Sequence, residues 1–376
     1  MKRIKVLEVI RQGQIGGGES HLLDLINFLD KDLFEPICLS FSDGDMIIRM
    51  RKMGVECHVL DSNKPFDSNV QKRVSKIIKN EGIQLVHAHG SRAASNVLYP
   101  VLKSKIPLVY TVHGWSFHSD QSFLVYRLRA FCERLICHYA NEVICVSQSN
   151  ADTGRAVFGL KKAYVIENGI NLDRFNPDLK YKNLRNEFGF SESDFVVGFI
   201  ARCTLQKNPI VFLQAMKYIH DKNPLIKGLF IGEGDMDGDV DVYIQENNMY
   251  GYIYRSKFRT DVPDLLNCID LYCLPSLWEG LSIALLEAMA MRKAIIATPT
   301  DGTKELIVNE KNGLVVPYND ALGIVEAIDR FYRDRTLMSR CCIEARQLVV
   351  EHFNAQRVAD SVSRLYLKHI SSDMNC

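Results

Sequence analysis

Short runs of β-branched and apolar residues alternate along the chain with longer stretches whose apolar positions recur every three or four residues. That is the pattern of strands alternating with amphipathic helices. Strand pattern falls at 4–10, 37–41, 55–60, 85–89, 108–113, 143–146 and 164–167, and helical pattern at 19–29, 70–80 and 123–139, among others. A polar, turn-rich stretch at 168–178 interrupts the alternation. It then resumes, with strands at 195–201, 228–231, 269–273, 294–297 and 313–316. Such alternation predicts parallel sheets covered by helices. Two consecutive sets predict an α/β protein of two Rossmann-like domains, residues 1–175 and 176–352, facing each other across a cleft. From about 334 to 370 the pattern is helical with no strand after it. Residues 353–376 are expected to form a helix that returns to the first domain.

Composition narrows the classes. The 376 residues suit two domains, and 46 basic against 45 acidic residues leave a formal charge of +1. With 47% hydrophobic and 24% charged residues, the chain is neither a disordered tail nor a strongly cationic nucleic-acid binder. Residues 1–175 hold 23 Lys and Arg against 18 Asp and Glu (+5), and the remainder 23 against 27 (−4), a mild bias of the first half toward anionic surfaces. Eleven cysteines in no CxxC repeat read as reduced thiols of a cytoplasmic protein. The opening run carries charges among its apolar residues, as a strand does and a signal peptide does not. The most apolar region, 269–291, is broken by Asp270, Pro275, Glu279 and Glu287, which excludes a spanning helix there.

Three segments carry candidate chemistry. Gly16-Gly17-Gly18-Glu19 follows the first strand, where glycines let a ligand approach the backbone and a helix N-terminus favours an anion; a plain tight turn is the other reading. Neither GxGxxG nor GxxxxGK[ST] is present, which removes the dinucleotide fingerprint and the P-loop. At the first turn of the second set, Arg202 and Lys207 stand five residues apart before Pro209. A guanidinium fork and a point charge suit a diphosphate, unless both are ordinary solvated side chains. In 275–290 a strand ends at Pro275, a loop carries Glu279, and a helix opens near Ser282. The backbone N–H groups of Gly280, Leu281 and Ser282 are placed to bind phosphate oxygens, and Glu287 stands among apolar residues, where an acid needs a partner.

Glu279 and Glu287 in E-x7-E spacing, preceded by Pro275-Ser276 and followed by Ala288-Met289-Ala290, resemble the signature of family-four retaining glycosyltransferases of GT-B fold. Further landmarks agree in order: Gly16-Gly17-Gly18-Glu19, Thr111-Val112-His113-Gly114, Val146-Ser147, Asn168-Gly169-Ile170, Arg202 and Lys207, Gly232-Glu233-Gly234, Asp301-Gly302-Thr303, and Asn312-Gly313-Leu314. The resemblance covers nearly the whole chain. It implies that Arg202 and Lys207 hold the donor diphosphate, Glu287 the ribose hydroxyls and Glu279 the transferring sugar. It places Gly16 and Gly17 against the donor, His113 near the reacting sugar as ring or backbone carbonyl, and the base against a strand near 256–260. Ala201 and Asn208 stand where the family commonly has glycine. The implied reaction needs no cofactor and no metal. The sugar is transferred with same-face substitution through an oxocarbenium-like state, while the cations and a helix N-terminus stabilise the leaving diphosphate.

The expected function is transfer of a hexose or related sugar from a nucleotide-diphosphate donor to a glycan or lipid-linked acceptor in capsule, exopolysaccharide or lipopolysaccharide synthesis. The alternatives are a nucleotide-sugar epimerase of the same fold and a non-catalytic sugar- or nucleotide-binding scaffold. Aromatic and basic residues mix over 115–134, from Trp115 and Phe117 to Arg127, Arg129 and Arg134. They read either as an anionic-membrane surface, placing the protein at the inner face of the cytoplasmic membrane, or as a packed amphipathic helix. The acidic run 235–241 has Val240 where a calcium loop needs glycine, and is expected to be a solvated loop.

Overall fold

The computed structural model describes residues 3–118 and 121–370. Ser119 and Asp120 of the 115–134 segment, and 371–376 of the last expected element, lie outside the described residues. The chain forms two compact units, one running to Gly169 and taken up again from Ala355, the other Ile170–Asn354.

The first unit holds a seven-stranded parallel sheet of β1 (Ile4–Ile10), β2 (Phe34–Ser40), β3 (Glu56–Val59), β4 (Leu85–His89), β5 (Leu108–Val112), β6 (Glu142–Cys145) and β7 (Tyr164–Val165). Their spatial order is β3-β2-β1-β4-β5-β6-β7. The second unit holds β8 (Phe195–Ile200), β9 (Ile226–Ile231), β10 (Ile253–Ser256), β11 (Leu271–Leu274), β12 (Ala294–Ala297) and β13 (Leu314–Val315), in the order β10-β9-β8-β11-β12-β13. In each sheet the order reverses once, between β1 and β4 and between β8 and β11. Open α/β sheets bind ligands outside the carboxyl ends of the strands that flank such a switch point. The glycine-rich loop follows β1, the Arg202–Lys207 turn follows β8, and the Glu279 loop follows β11.

Three details differ from the sequence pattern. The edge strand β10 ends at Ser256, where the expected base-binding strand was to begin, and only Ile253 of its four residues is buried, so the strand leaves little apolar pattern in the sequence. The units divide after Gly169 rather than 175, because Ile170 donates its N–H to the Phe353 carbonyl (2.9 Å) and Phe175 is buried with the second unit. The helical stretch 334–370 is two helices, Arg335–His352 and Ala355–Ile370, of which only the second belongs to the first unit.

Val358, Ala359, Val362, Leu365, Tyr366 and Ile370 make one apolar face of helix Ala355–Ile370, packed with Leu22, Leu25 and Ile26 of helix Gly17–Phe28 and with Val6 and Ile10 of β1. At its end, Lys368 Nζ and His369 Nε2 reach Glu142 Oε1 at 2.5 and 2.8 Å. Burial raises the Glu142 carboxyl, but the hydrogen bonds from Lys368 and His369 outweigh it and hold the group below the usual carboxylate range. A carboxyl lowered on folding stabilises the protein above its unfolded pKa, and that contribution is lost as pH falls through the folded value. Glu142→Gln should therefore lower the Tm by about 2–4 °C at pH 7 and flatten the acid side of the Tm-against-pH curve. A thermal-melt series across the acid range checks both.

Candidate active site

In the second unit two loops are laced together. After β8 the chain passes Arg202 into a 3-10 turn, Leu205–Lys207, and helix Pro209–Lys222 then starts with proline at its first turn, where no N–H is missed. Asn208 joins them in the left-handed region (φ 54°, ψ 54°). That conformation explains a preference for glycine here, and asparagine is among the few other residues that tolerate it. After β11, the loop at 275–282 leads to helix Ile283–Ala290 with Ser282 at the N-cap. The Leu277 N–H donates to the Gln206 carbonyl (2.8 Å), and Gln206 Nε2 donates to the Trp278 carbonyl (2.8 Å). Lys207 Nζ forms an ion pair with Glu279 Oε1, which also accepts from Ser276 Oγ at 2.7 Å. Both charged side chains are largely buried, at 11% and 8% exposure, so each neutralises a charge the other leaves in low dielectric. Gly302 approaches so closely that a Cβ there would strike the Gly280 backbone, which packs the 301–303 turn on the same loop.

Glu287 is half-buried one helix face behind. The hydroxyl of fully buried Tyr272 donates to the Ile200 carbonyl (2.9 Å), and burial first, then the charges of Glu287 and Glu279, push its pKa well up. Both carboxylates thus act on the Tyr272 hydroxyl, beside the end of β8. Arg202 is exposed, with no hydrogen bond or ion pair on its side chain among the described residues. The Ser282 hydroxyl makes no capping bond, so the first N–H groups of helix Ile283–Ala290 are not satisfied by that side chain. Lys207 and Glu279 are therefore brought together, with Gly280, Leu281 and Ser282 following Glu279 on its loop, Glu287 on the helix that the loop opens, and Arg202 at the head of the facing turn. The unexpected feature is that Lys207 and Glu279, read separately as diphosphate and sugar ligands, are one pair.

In the first unit, Gly16 precedes helix Gly17–Phe28, and Gly18 faces the ring of His113, which a Cβ on Gly18 would meet at 3.6 Å. Behind His113 lies a buried polar cluster that the sequence reading missed. Glu8 on β1 accepts from Tyr366 Oη (2.8 Å) and contacts His89 Nε2 (3.0 Å). His89 Nδ1 meets His113 Nε2 at 3.2 Å, His87 Nδ1 meets Tyr366 Oη at 2.5 Å, and His87 Nε2 meets Thr111 Oγ1 at 2.7 Å. Glu8 and His87 are opposite one another on β1 and β4, so the pairing of parallel strands puts them on one face. Burial raises Glu8, yet the electrostatic pull and hydrogen bonds of the His87 and His89 rings take its carboxyl well below the usual range. Burial, then neighbouring imidazoles, lower His21 to about 3 and His89 to about 4 and hold His113 well below its ordinary value. The available signals were an acid inside an apolar strand and histidines at alternate positions of another. The ligand atoms of His21, His89 and His113 lie within 4.8 Å of one another, as do those of Glu8, His87 and His89. Both nitrogens of His87 and of His89 already have protein partners.

The 115–134 segment divides. Trp115 and Phe117 are buried and stacked 5.6 Å apart, with Trp115 Nε1 donating to the Asn150 carbonyl (2.8 Å), so neither is a surface aromatic. Helix Phe123–Tyr139 is anchored by Ala130, Glu133 and Ile136 and exposes Phe123 (72%), Leu124 (79%), Leu128 (64%) and Phe131 (61%) beside Arg127, Arg129 and Arg134. Residues 237–246 of the acidic run and its continuation are a helix, with Arg255 bonded to Asp237 (2.6 Å) and near Asp241 (3.4 Å), rather than a solvated loop. No helix among the described residues is long and apolar enough to cross a membrane.

Two switch-point sheets, a cation–carboxylate loop pair and an open helix N-terminus define the class of GT-B glycosyltransferases. Solved structures share the fold: HepE of Anabaena in complex with UDP-glucose superposes with a TM-score of 0.87 over 97% of this chain and 100% of that one, at 19% identity. WaaG, a glycosyltransferase involved in lipopolysaccharide biosynthesis, gives 0.75 over 94% and 98%, at 15% identity. Residues 15–174 match Glycosyltransferase Family 4, and 180–348 match Glycosyl transferases group 1. A UDP-Gal:alpha-D-GlcNAc-diphosphoundecaprenol alpha-1,3-galactosyltransferase of Escherichia coli is 31% identical over 78% of this chain and 77% of its own length. An N,N'-diacetylbacillosaminyl-diphospho-undecaprenol alpha-1,3-N-acetylgalactosaminyltransferase of Campylobacter jejuni is 27% identical over 78% and 79%. The chain belongs to glycosyltransferase family four.

Proposed function

We propose that this glycosyltransferase moves a hexose or related sugar, with retention and without metal, from a nucleoside-diphosphate donor to a glycan carried on a polyprenyl diphosphate in surface-polysaccharide synthesis. The observation that carries the donor reading is the pairing of Lys207 with Glu279 across the loops that follow β8 and β11, at the switch point of the second sheet; Arg202 on the first loop and Ser282 and Glu287 beyond the second support it. Arg202 and Lys207 take the diphosphate with the N–H groups of the 280–282 turn. Glu287 accepts from the ribose hydroxyls, and Glu279, once Lys207 turns to phosphate, accepts from the sugar. In the transfer the anomeric C1–O bond to the diphosphate breaks and the acceptor oxygen bonds C1 on the same face. The acceptor proton passes to the leaving phosphate oxygen, so no protein nucleophile is needed. Arg202, Lys207 and the helix N-terminus stabilise the developing charge, the part a divalent ion plays elsewhere. Gly16 and Gly17 lie along the donor, and His113 contacts the sugar.

The names of the Escherichia coli and Campylobacter jejuni relatives support a lipid-linked acceptor. The exposed apolar and arginine-bearing face of helix Phe123–Tyr139 supports docking on an anionic membrane surface. UDP-hexoses are the first donors to assay, with thermal shift and product NMR as readouts. A rise in Tm with UDP that survives EDTA, and a product whose anomeric configuration matches the donor's, are the expected results. An inverted product or EDTA-sensitive turnover overturns retention or metal independence respectively.

A further inference from the structure

We infer that Tyr366, Glu8 and His89 form a buried positioning chain that fixes the proton of His113 on Nε2, so that His113 offers an unprotonated Nδ1 to its ligand. This rests on the placement of His113 at the sugar proposed above. The proton positions follow one from another. An ionised Glu8 only accepts hydrogen bonds, so Tyr366 Oη donates to Oε1 at 2.8 Å and His89 Nε2 carries the proton that faces Oε2 at 3.0 Å. A neutral His89 then has a bare Nδ1. The 3.2 Å approach of His113 Nε2 to that nitrogen is a hydrogen bond only if Nε2 is the protonated one. The remaining nitrogen of His113, Nδ1, has no hydrogen-bond partner among the described residues. The low pKa values of His89, about 4, and of His113 agree with a neutral ring on each of these two.

The packing holds this geometry. Glu8, His87 and His89 are completely or almost completely buried, Tyr366 is fully buried, and His21 meets the His113 ring edge-on with centroids 4.9 Å apart. Tyr366 comes from helix Ala355–Ile370 and lies 358 positions from Glu8. The oxygen that donates to Glu8 also faces His87 Nδ1, so the returning helix closes the chain at its far end. The consequence is a rule of ligand chemistry. A bare imidazole nitrogen accepts from a hydroxyl and repels a phosphate oxygen or a carboxylate. The group at His113 is therefore a sugar hydroxyl, and a uronic acid presenting its carboxylate there is a poor donor. Tyr366, Glu8 and His89 touch no substrate and act through His113.

The test is ¹⁵N NMR of the histidine-labelled full chain, with kinetics on variants. His113, assigned by its loss in His113→Gln, is expected to show one neutral tautomer with the proton on Nε2 at neutral pH. In His89→Phe, which keeps a ring but neither hydrogen bond, its signals should move toward a tautomer mixture. kcat should then fall about 10–100-fold, the range for losing the outer partner of a site histidine, with donor KM within about twofold of wild type. Tyr366→Phe should give the same shift more weakly. A wild-type His113 carrying its proton on Nδ1 overturns the proposal and needs no variant to fold. So does a folded His89→Phe with unchanged tautomer and kcat. Unchanged turnover in His113→Gln instead removes the placement of His113 at the sugar and leaves the tautomer result standing.

Discussion

Replacing Lys207 with alanine should cut kcat/KM by about 10²–10³-fold, the loss expected when one preorganised stabiliser of developing charge is removed. It should also destabilise the second unit. The ammonium is paired with Glu279 in a site where both side chains are about nine-tenths buried, and Ser276 Oγ is the nearest remaining donor to that carboxylate. Breaking such a pair from one side costs about 3–5 kcal/mol, because the other charge stays buried and unmatched. The two losses separate in the double variant. Adding Glu279→Gln to Lys207→Ala removes the orphaned charge, so the Tm should recover most of its fall while turnover stays down. Calorimetric titration with UDP and melting curves on the single and double variants are the measurements. A Lys207→Ala protein that binds UDP with wild-type affinity would sink the diphosphate role.

That pair also marks how far the sequence could be read. The alternation of strands and helices carried the two sheets, because β-strands buried on both faces are short apolar runs bounded by turns. The loops after β8 and β11 were legible because Arg202, Lys207 and Glu279 precede helix entrances, where charge is noticed, and Glu287 is an acid inside an apolar helix. What was not legible is which charges meet. Lys207 and Glu279 are 72 positions apart, and only the reversal of strand order between β8 and β11 makes their loops neighbours. The same reason hid the cluster behind His113. Glu8 looked like a charge interrupting an apolar strand, and its donor Tyr366 lies on the last helix. Trp115 and Phe117 misled in the other direction: aromatic residues beside arginines look like a surface until Asn150 and Phe158 are seen to cover them.

Leu124→Asp combined with Leu128→Asp should reduce binding to vesicles containing anionic phospholipid by about a hundredfold or more. Burying each leucine is worth about 1.5–3 kcal/mol, and the aspartates add repulsion from the same surface. Both leucines are mostly exposed, at 79% and 64%, and the helix is held from its other side by Ala130, Glu133 and Ile136. Glu133 accepts from Ser91 Oγ (2.5 Å), Tyr110 Oη (2.8 Å) and the Ser116 N–H (3.1 Å), so the anchoring face does not depend on the substituted one. Turnover on a short-chain, water-soluble acceptor should stay at the wild-type level. Co-sedimentation with anionic and with zwitterionic vesicles reads the effect. Equal binding of variant and wild type to anionic vesicles would remove helix Phe123–Tyr139 as the docking face.

Helix Ala355–Ile370 has a temporal meaning as well as a spatial one. A ribosome delivers residues in order, and the chain enclosing Ile170–Asn354 is synthesised in one piece, so that unit can close as soon as it emerges. The earlier unit cannot. Until Tyr366 and the apolar face around it arrive, Glu8 Oε1 lacks its hydroxyl donor and the sheet face at Val6 and Ile10 lacks its cover. The part made first is thus the part finished last. A chain cut short anywhere before that helix leaves His113 without the support that sets its proton.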